Sequence, residues 1–221
     1  MRTVIFDLDG TLADTSGDLI AAANACFLAM GHGAPLDPLA DAHTAFHGGR
    51  AMLRLGLERL GRAGDEAEVD RQYPLLLKAY AAAIDTHTVL YPGAMAAVAA
   101  LAATGYRVGI CTNKPEALAD LLLQRLAVRD AFGSLIGADT LAVRKPDPEP
   151  LREAVRRAGG DPARCVLIGD TITDRETARA AGVPSVLVGF GPTGAAVAEL
   201  DPEAVIGHFD ELPEVVRRLI G

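Results

Sequence analysis

Two aspartates, Asp7 and Asp9, close the apolar run Val4-Ile5-Phe6 and lead into Gly10-Thr11. A strand-like segment ending in paired carboxylates gathers negative charge where something positive must be held. Other polar clusters also sit beside apolar runs. Val108-Gly109-Ile110-Cys111 runs into Thr112-Asn113-Lys114-Pro115, and Val166-Leu167-Ile168 ends in Gly169-Asp170-Thr171-Ile172-Thr173-Asp174. Arg144-Lys145-Pro146-Asp147-Pro148 stands before a helix-like stretch. Carboxylates, a lysine and a hydroxyl suit a doubly charged phosphate ester. Oxygen ligands hold a hard cation such as Mg2+, while an ammonium and a hydroxyl meet phosphoryl oxygens. Taken singly, each cluster has a plainer reading: Asp170 as a turn acid, Asp174 and Thr112 as helix caps, Lys145 as a solvated loop lysine. Their joint recurrence at strand ends favours a site.

The elements that position these residues follow from the hydrophobic pattern. Apolar, β-branched runs fall at Thr3–Phe6, Arg107–Cys111, Ser134–Ile136, Arg164–Ile168 and Ser185–Val188, with a weaker one at Ala204–Ile206. Helix-like stretches at Met95–Ala103, Glu116–Leu126, Pro148–Ala158 and Asp174–Ala181 separate most of them. Strands too apolar to show a wet face, alternating with helices, predict a parallel sheet covered on both sides. Gly105, Gly159-Gly160 and Gly182 fall where helix C-caps belong. In such a sheet all strand ends of one sense share a rim, so the clusters converge.

Between about Asp14 and Asp85 the alternation stops. Helical periodicity at Leu19–Met30, Met52–Leu60 and Val69–Ala83 replaces it, punctuated by Pro35, Pro38 and Gly48-Gly49. The expected fold is therefore α/β: a Rossmann-like, doubly wound parallel core over 1–14 and 84–221, with an inserted small all-helical cap domain at 15–83.

Composition narrows the partners. The chain has 221 residues, half of them apolar, and a net charge of −8. That charge argues against nucleic acid, and no apolar run is long enough to span a bilayer. Met1-Arg2-Thr3 passes straight into the first strand without the apolar stretch of a signal peptide. Cys26, Cys111 and Cys165 read as reduced core thiols, and a cytoplasmic protein is expected. The five histidines lack ligand spacing, and Met30, Met52 and Met95 read as core fillers. The acidic surface fits a monomer or a homodimer alike.

Together, Asp7-Leu8-Asp9-Gly10-Thr11, Thr112-Asn113, Lys145-Pro146 and Gly169-Asp170 through Asp174 resemble the motif set of the haloacid dehalogenase superfamily, from Val4 to about Gly191. The resemblance implies that Asp7 is the nucleophile and forms an aspartyl-phosphate, with Asp9 as general acid and base. It implies Mg2+ held by Asp7, the backbone carbonyl of Asp9 and Asp170, with Asp174 supporting the metal shell. Lys145 and Thr112 would meet the phosphoryl group, with Gly10, Thr11 and Asn113 contributing to substrate binding.

Members named for dehalogenation replace the second acid, which is present here as Asp9. The phosphomutase branch usually carries a histidine where this chain has Leu19. A phosphomonoester hydrolase is therefore expected. Asp18-Leu19-Ile20-Ala21-Ala22-Ala23 and Lys145-Pro146-Asp147-Pro148-Glu149-Pro150-Leu151 are similar to the phosphoglycolate phosphatase group, which implies 2-phosphoglycolate as substrate. The turn His47-Gly48-Gly49-Arg50 departs from that group's Gly-x-Gly. Arg50 is a candidate to grip a substrate carboxylate, or else a solvent-facing arginine that starts a helix. A sugar-phosphate phosphatase or phosphomutase, a pyrophosphatase and a non-catalytic phosphate-binding protein stay open as alternatives.

Overall fold

Thr3-Val4-Ile5-Phe6 is buried at every position, so this strand has no solvent face and must be covered on both sides. A computed structural model describes all 221 residues. In chain order, β1 (Thr3–Phe6) and β2 (Ala13–Asp14) lead into α1 (Ser16–Ala29), α2 (Ala42–Ala45), α3 (Gly49–Arg59) and α4 (Glu66–Ala82). Then come β3 (Val89–Leu90), α5 (Ala94–Ala103), β4 (Arg107–Cys111), α6 (Glu116–Arg125) and β5 (Leu135–Ile136). The chain ends with α7 (Glu149–Arg157), β6 (Cys165–Gly169), α8 (Ile172–Ala181), β7 (Ser185–Val188), β8 (Ala204–Ile206) and α9 (Leu212–Ile220). No helix is long and apolar enough to cross a membrane.

Two compact units form, one of Met1–Ala13 with Leu90–Gly221 and one of Asp14–Val89. In the first, six strands make a sheet in the order β5-β4-β1-β6-β7-β8, with every registered pair parallel. This is the α/β, Rossmann-like core expected from the apolar strands. Ile5, Cys111, Cys165 and Leu167 share a fully buried cluster with Leu151, Ala154 and Val155 of α7 and Ala178 of α8. Helices α5 and α9 pack on each other and against β4 and β6. Gly105, Gly159 and Gly182 take positive φ at helix ends; Gly160 does not.

Register sets the position of the site. Phe6 aligns with Ile110 on one side and Ile168 on the other. Asp7, Thr112 and Asp170 therefore leave the sheet at one edge, where β1 has neighbours reached by crossovers in opposite directions. Ligands of open α/β sheets bind at such a switch point.

The second unit is helical. Helix α4 opens with Asp65 accepting a hydrogen bond from the Glu68 amide at 3.0 Å, and Glu66 and Glu68 suit the positive end of its dipole. The buried Asp18 of α1 accepts from the amides of His87 and Thr88 and from the Thr88 hydroxyl, tying the end of the unit back to its first helix. Of the three methionines read as core fillers, only Met52 is fully buried; Met30, just past the end of α1, and Met95, in the first turn of α5, are half-buried.

Candidate active site

Asp7 is the first residue beyond β1, and its amide extends the ladder by donating to the Ile168 carbonyl at 2.8 Å. Its Oδ1 accepts from the Leu8 amide at 2.7 Å and lies 3.1 Å from Lys145 Nζ. The chain then turns sharply: Gly10, at φ 80°, donates to the Ala13 carbonyl, and the Leu12 and Ala13 amides return to Leu8. That φ suits glycine, and the bend it allows brings Ala13 back beside Asp9.

Lys145 is buried between two acids. Its Nζ donates to Asp174 Oδ1 at 2.6 Å as well as facing Asp7. Burial alone would discharge it, but the Asp174 and Asp7 carboxylates prevail and hold it firmly protonated. Asp174 has no exposure at all. Its Oδ2 accepts from the Thr171 hydroxyl at 2.7 Å and from the Thr171 and Asp170 amides at 3.2 and 3.3 Å. Asp174 is thus both the capping-box acid of α8 and the anchor of Lys145. The helix-cap reading and the site reading of this residue are the same fact.

Gly169 makes that arrangement sterically feasible. A Cβ at this position would lie 2.4 Å from Asp174 Cβ and Cγ. Gly169→Ala is therefore expected to displace Asp174, to cost about 1–3 kcal/mol by overpacking and to lower turnover sharply. Urea unfolding alongside an activity assay would read both effects. An alanine variant of wild-type stability would show that the wall can yield.

Asp170 is also fully buried. Its Oδ1 accepts from the Thr11 hydroxyl at 2.7 Å, while its Oδ2 has no hydrogen-bond partner. Burial, then the charges of Asp174 and Asp7, push its carboxyl well above the usual range. Burial likewise pushes Asp7 up to about 6; Lys145 opposes the rise, and Asp174 and Asp9 add to it. Carboxylate oxygens of Asp7, Asp170 and Asp174 lie within 4.8 Å of one another. Buried acids this close, with one oxygen unsatisfied, describe a cation site with an all-oxygen donor set. The ion pairs agree with this: Lys145 faces Asp7 and Asp174, Lys114 faces Asp9, and Asp170 lies among acids without an ion pair of its own.

Motif reading also named residues whose side chains the structure turns toward the protein. The Thr11 hydroxyl serves Asp170, and the Asn113 side-chain amide donates to the Lys145 carbonyl at 3.0 Å, tying two site loops together. Thr112 is buried, and its Oγ1 accepts from the Lys114 amide at 3.2 Å. Arg50, in the helical unit, pairs with Asp70 at 2.6 Å and stacks over the Tyr73 ring. Lys114 is the residue to which sequence reading gave no role. Its Nζ reaches both oxygens of Asp9, at 2.9 and 3.1 Å. The signal was present: a lysine in the same short turn as Thr112 must share its rim.

An acid-rich rim with a buried lysine on a doubly wound parallel sheet defines an aspartate-centred α/β hydrolase. The chain belongs to the haloacid dehalogenase-like hydrolases, whose family profile matches residues 1–182. It is 43% identical over 218 residues to a phosphoglycolate phosphatase of Mesorhizobium japonicum, covering 98% of this chain and 96% of that protein. A phosphoglycolate phosphatase of Agrobacterium fabrum is 36% identical over 217 residues, covering 98% and 93% of the two chains. The same fold is found in the crystal structure of a predicted phosphoglycolate phosphatase from Haemophilus somnus, at a TM-score of 0.84 and 21% identity, with 97% of each chain covered.

Proposed function

We propose that this chain is a Mg2+-dependent phosphatase that hydrolyses 2-phosphoglycolate through a phosphoaspartate on Asp7. The observation that carries the reading is the Asp7 carboxylate held by a buried lysine, beside a buried acid with an unpartnered oxygen. The identity of the two bacterial relatives named above supports the substrate.

The chemistry follows from the positions of the groups. Asp7 attacks phosphorus as the bond to the leaving oxygen breaks, and Asp9 delivers a proton to that oxygen. Asp9 then takes a proton from water, which attacks the phosphoaspartate and restores the Asp7 carboxylate. Lys145 and the Thr112 hydroxyl supply fixed positive charge and a donor for the phosphoryl oxygens, the kind of preorganisation on which phosphoryl transfer depends. Asp7, Asp170 and the backbone carbonyl of Asp9 would hold the metal. Asp174 would act from behind, since its oxygens already serve Lys145 and the Asp170–Thr171 amides. Mg2+, when bound, supplies the charge that lets a phosphate dianion approach these carboxylates. We place the reaction in the cytoplasm, where buried thiols such as Cys111 and Cys165, pushed by burial up to about 12, stay reduced.

The test is phosphate release from 2-phosphoglycolate with Mg2+ and with chelator. Turnover is expected to fall by about 10³-fold or more on metal removal and to return on adding Mg2+. Release from para-nitrophenyl phosphate but not from 2-phosphoglycolate would overturn the substrate. Release from neither, under any divalent metal, would overturn the enzyme in favour of a phosphate-binding protein.

A further inference from the structure

The steps above give no task to Lys114, although the fold invests in it. Its side chain is 3% exposed, and its ammonium divides between the two oxygens of Asp9. A buried ammonium is costly unless it is paired, so its placement is specific. The turn that carries it is fixed at both ends. The Lys114 amide donates to Thr112 Oγ1, the Lys114 carbonyl accepts from the Ala138 amide at 2.9 Å, and Pro115 opens α6.

The two buried lysines of the site are thus divided in their partners. Lys145 faces Asp7, the side of attack; Lys114 faces Asp9, the side of departure. Whatever leaves with the oxygen that Asp9 protonates leaves beside Lys114. In the phosphate ester of a 2-hydroxy acid, the carboxylate carbon stands two bonds beyond that oxygen. Such a carboxylate comes close to Asp9, which is a like charge once its proton has passed to the leaving oxygen, and a cation at that place offsets the repulsion.

We propose that Lys114 binds the carboxylate of the leaving group, so that this core unit selects phosphate esters of 2-hydroxy carboxylic acids over uncharged esters. The proposal rests on the 2-phosphoglycolate reading and deepens it. A lysine is suited to the task because a compact ammonium can be shared between Asp9 and a second carboxylate.

The experiment compares kcat/KM for 2-phosphoglycolate and for 2-hydroxyethyl phosphate, which carries CH2OH in place of the carboxylate, with Mg2+ present throughout. The readout is the ratio of the two. Merely misplacing Asp9 slows both esters alike and leaves that ratio unmoved. For Lys114→Met the ratio is expected to fall about a hundredfold, mostly through KM, and Lys114→Arg is expected to retain most of it. Lys114→Gln, which keeps a donor for Asp9, is the second variant should methionine unfold the site, and the same collapse is expected. A wild-type preference that survives in Met and Gln variants overturns the role of Lys114 and leaves the substrate standing. A wild-type enzyme indifferent between the two esters overturns the substrate reading, and this inference with it.

Discussion

Asp7→Asn is expected to abolish phosphomonoester turnover, by at least about 10⁴-fold, while making the metal-free protein more stable at neutral pH. The first effect follows from removing the nucleophile. The second follows from burial: the Asp7 carboxyl is pushed up to about 6 from its ordinary 3.8. The folded state therefore binds this proton more tightly than the unfolded chain. Below about pH 4 both states carry it and nothing is lost; between about pH 4 and 6 stability falls as pH rises, by about 3 kcal/mol in all. Asn keeps the shape and carries no charge, so it escapes that loss. In chelator at pH 7.5 the variant is expected to melt several degrees above wild type. At pH 4 the two should nearly coincide. Asp170, raised by the same causes, sharpens the wild-type dependence in the same sense. Mg2+ should remove most of the wild-type deficit, because ligation favours the ionised carboxylates. Calorimetry across pH, with and without Mg2+, checks each part. An Asn variant that melts below wild type in chelator would show that the Lys145 pair outweighs the burial of Asp7.

That coupling of charge to burial explains how far the sequence can be read. Strands β1, β4, β7 and β8 are legible to the residue because an apolar run between polar clusters is what a doubly covered parallel strand requires. The rim acids are legible because register is fixed by those same runs. Elements set by hydrogen bonds escape apolar periodicity. Helix α1 starts three residues before the pattern does, where Asp14 Oδ1 accepts from the Ser16 amide and hydroxyl. The single-turn α2 is too short to show a period, and α9 lies beyond the motifs that organise the rest. Within the site, sequence gives the rim a residue occupies but not the atom it meets. Thr11 and Asn113 stand where a phosphate-binding reading puts them, yet their side chains serve Asp170 and the Lys145 backbone. Lys114 was visible as a type and invisible as a partner of Asp9.

Lys145→Met is expected to destabilise the protein by about 3–5 kcal/mol, besides lowering turnover by about 10³-fold or more. Lys145 is the countercharge printed into the core between Asp7 and Asp174, and its side chain is 2% exposed. Methionine fills much the same volume, so packing loss is small and the cost is electrostatic. Two buried carboxylates lose their common cation, and each must be protonated or remain a charge in low dielectric. The sign with pH follows: the Asp7 carboxyl, already pushed up by burial, rises further without Lys145, so the variant regains stability as pH falls. Urea unfolding in chelator should show a larger gap from wild type at pH 7.5 than at pH 5. Removing one acid should relieve the same strain, because Asp174→Asn leaves a neutral group that still accepts from Thr171 and from the Asp170 amide. The double variant Lys145→Met with Asp174→Asn is therefore expected to be more stable than Lys145→Met alone. A coupling energy of about 1–3 kcal/mol from the double-mutant cycle would express this. Strictly additive losses would mean that Asp174 holds the α8 cap and nothing else, and that the lysine is neutralised by Asp7 without it.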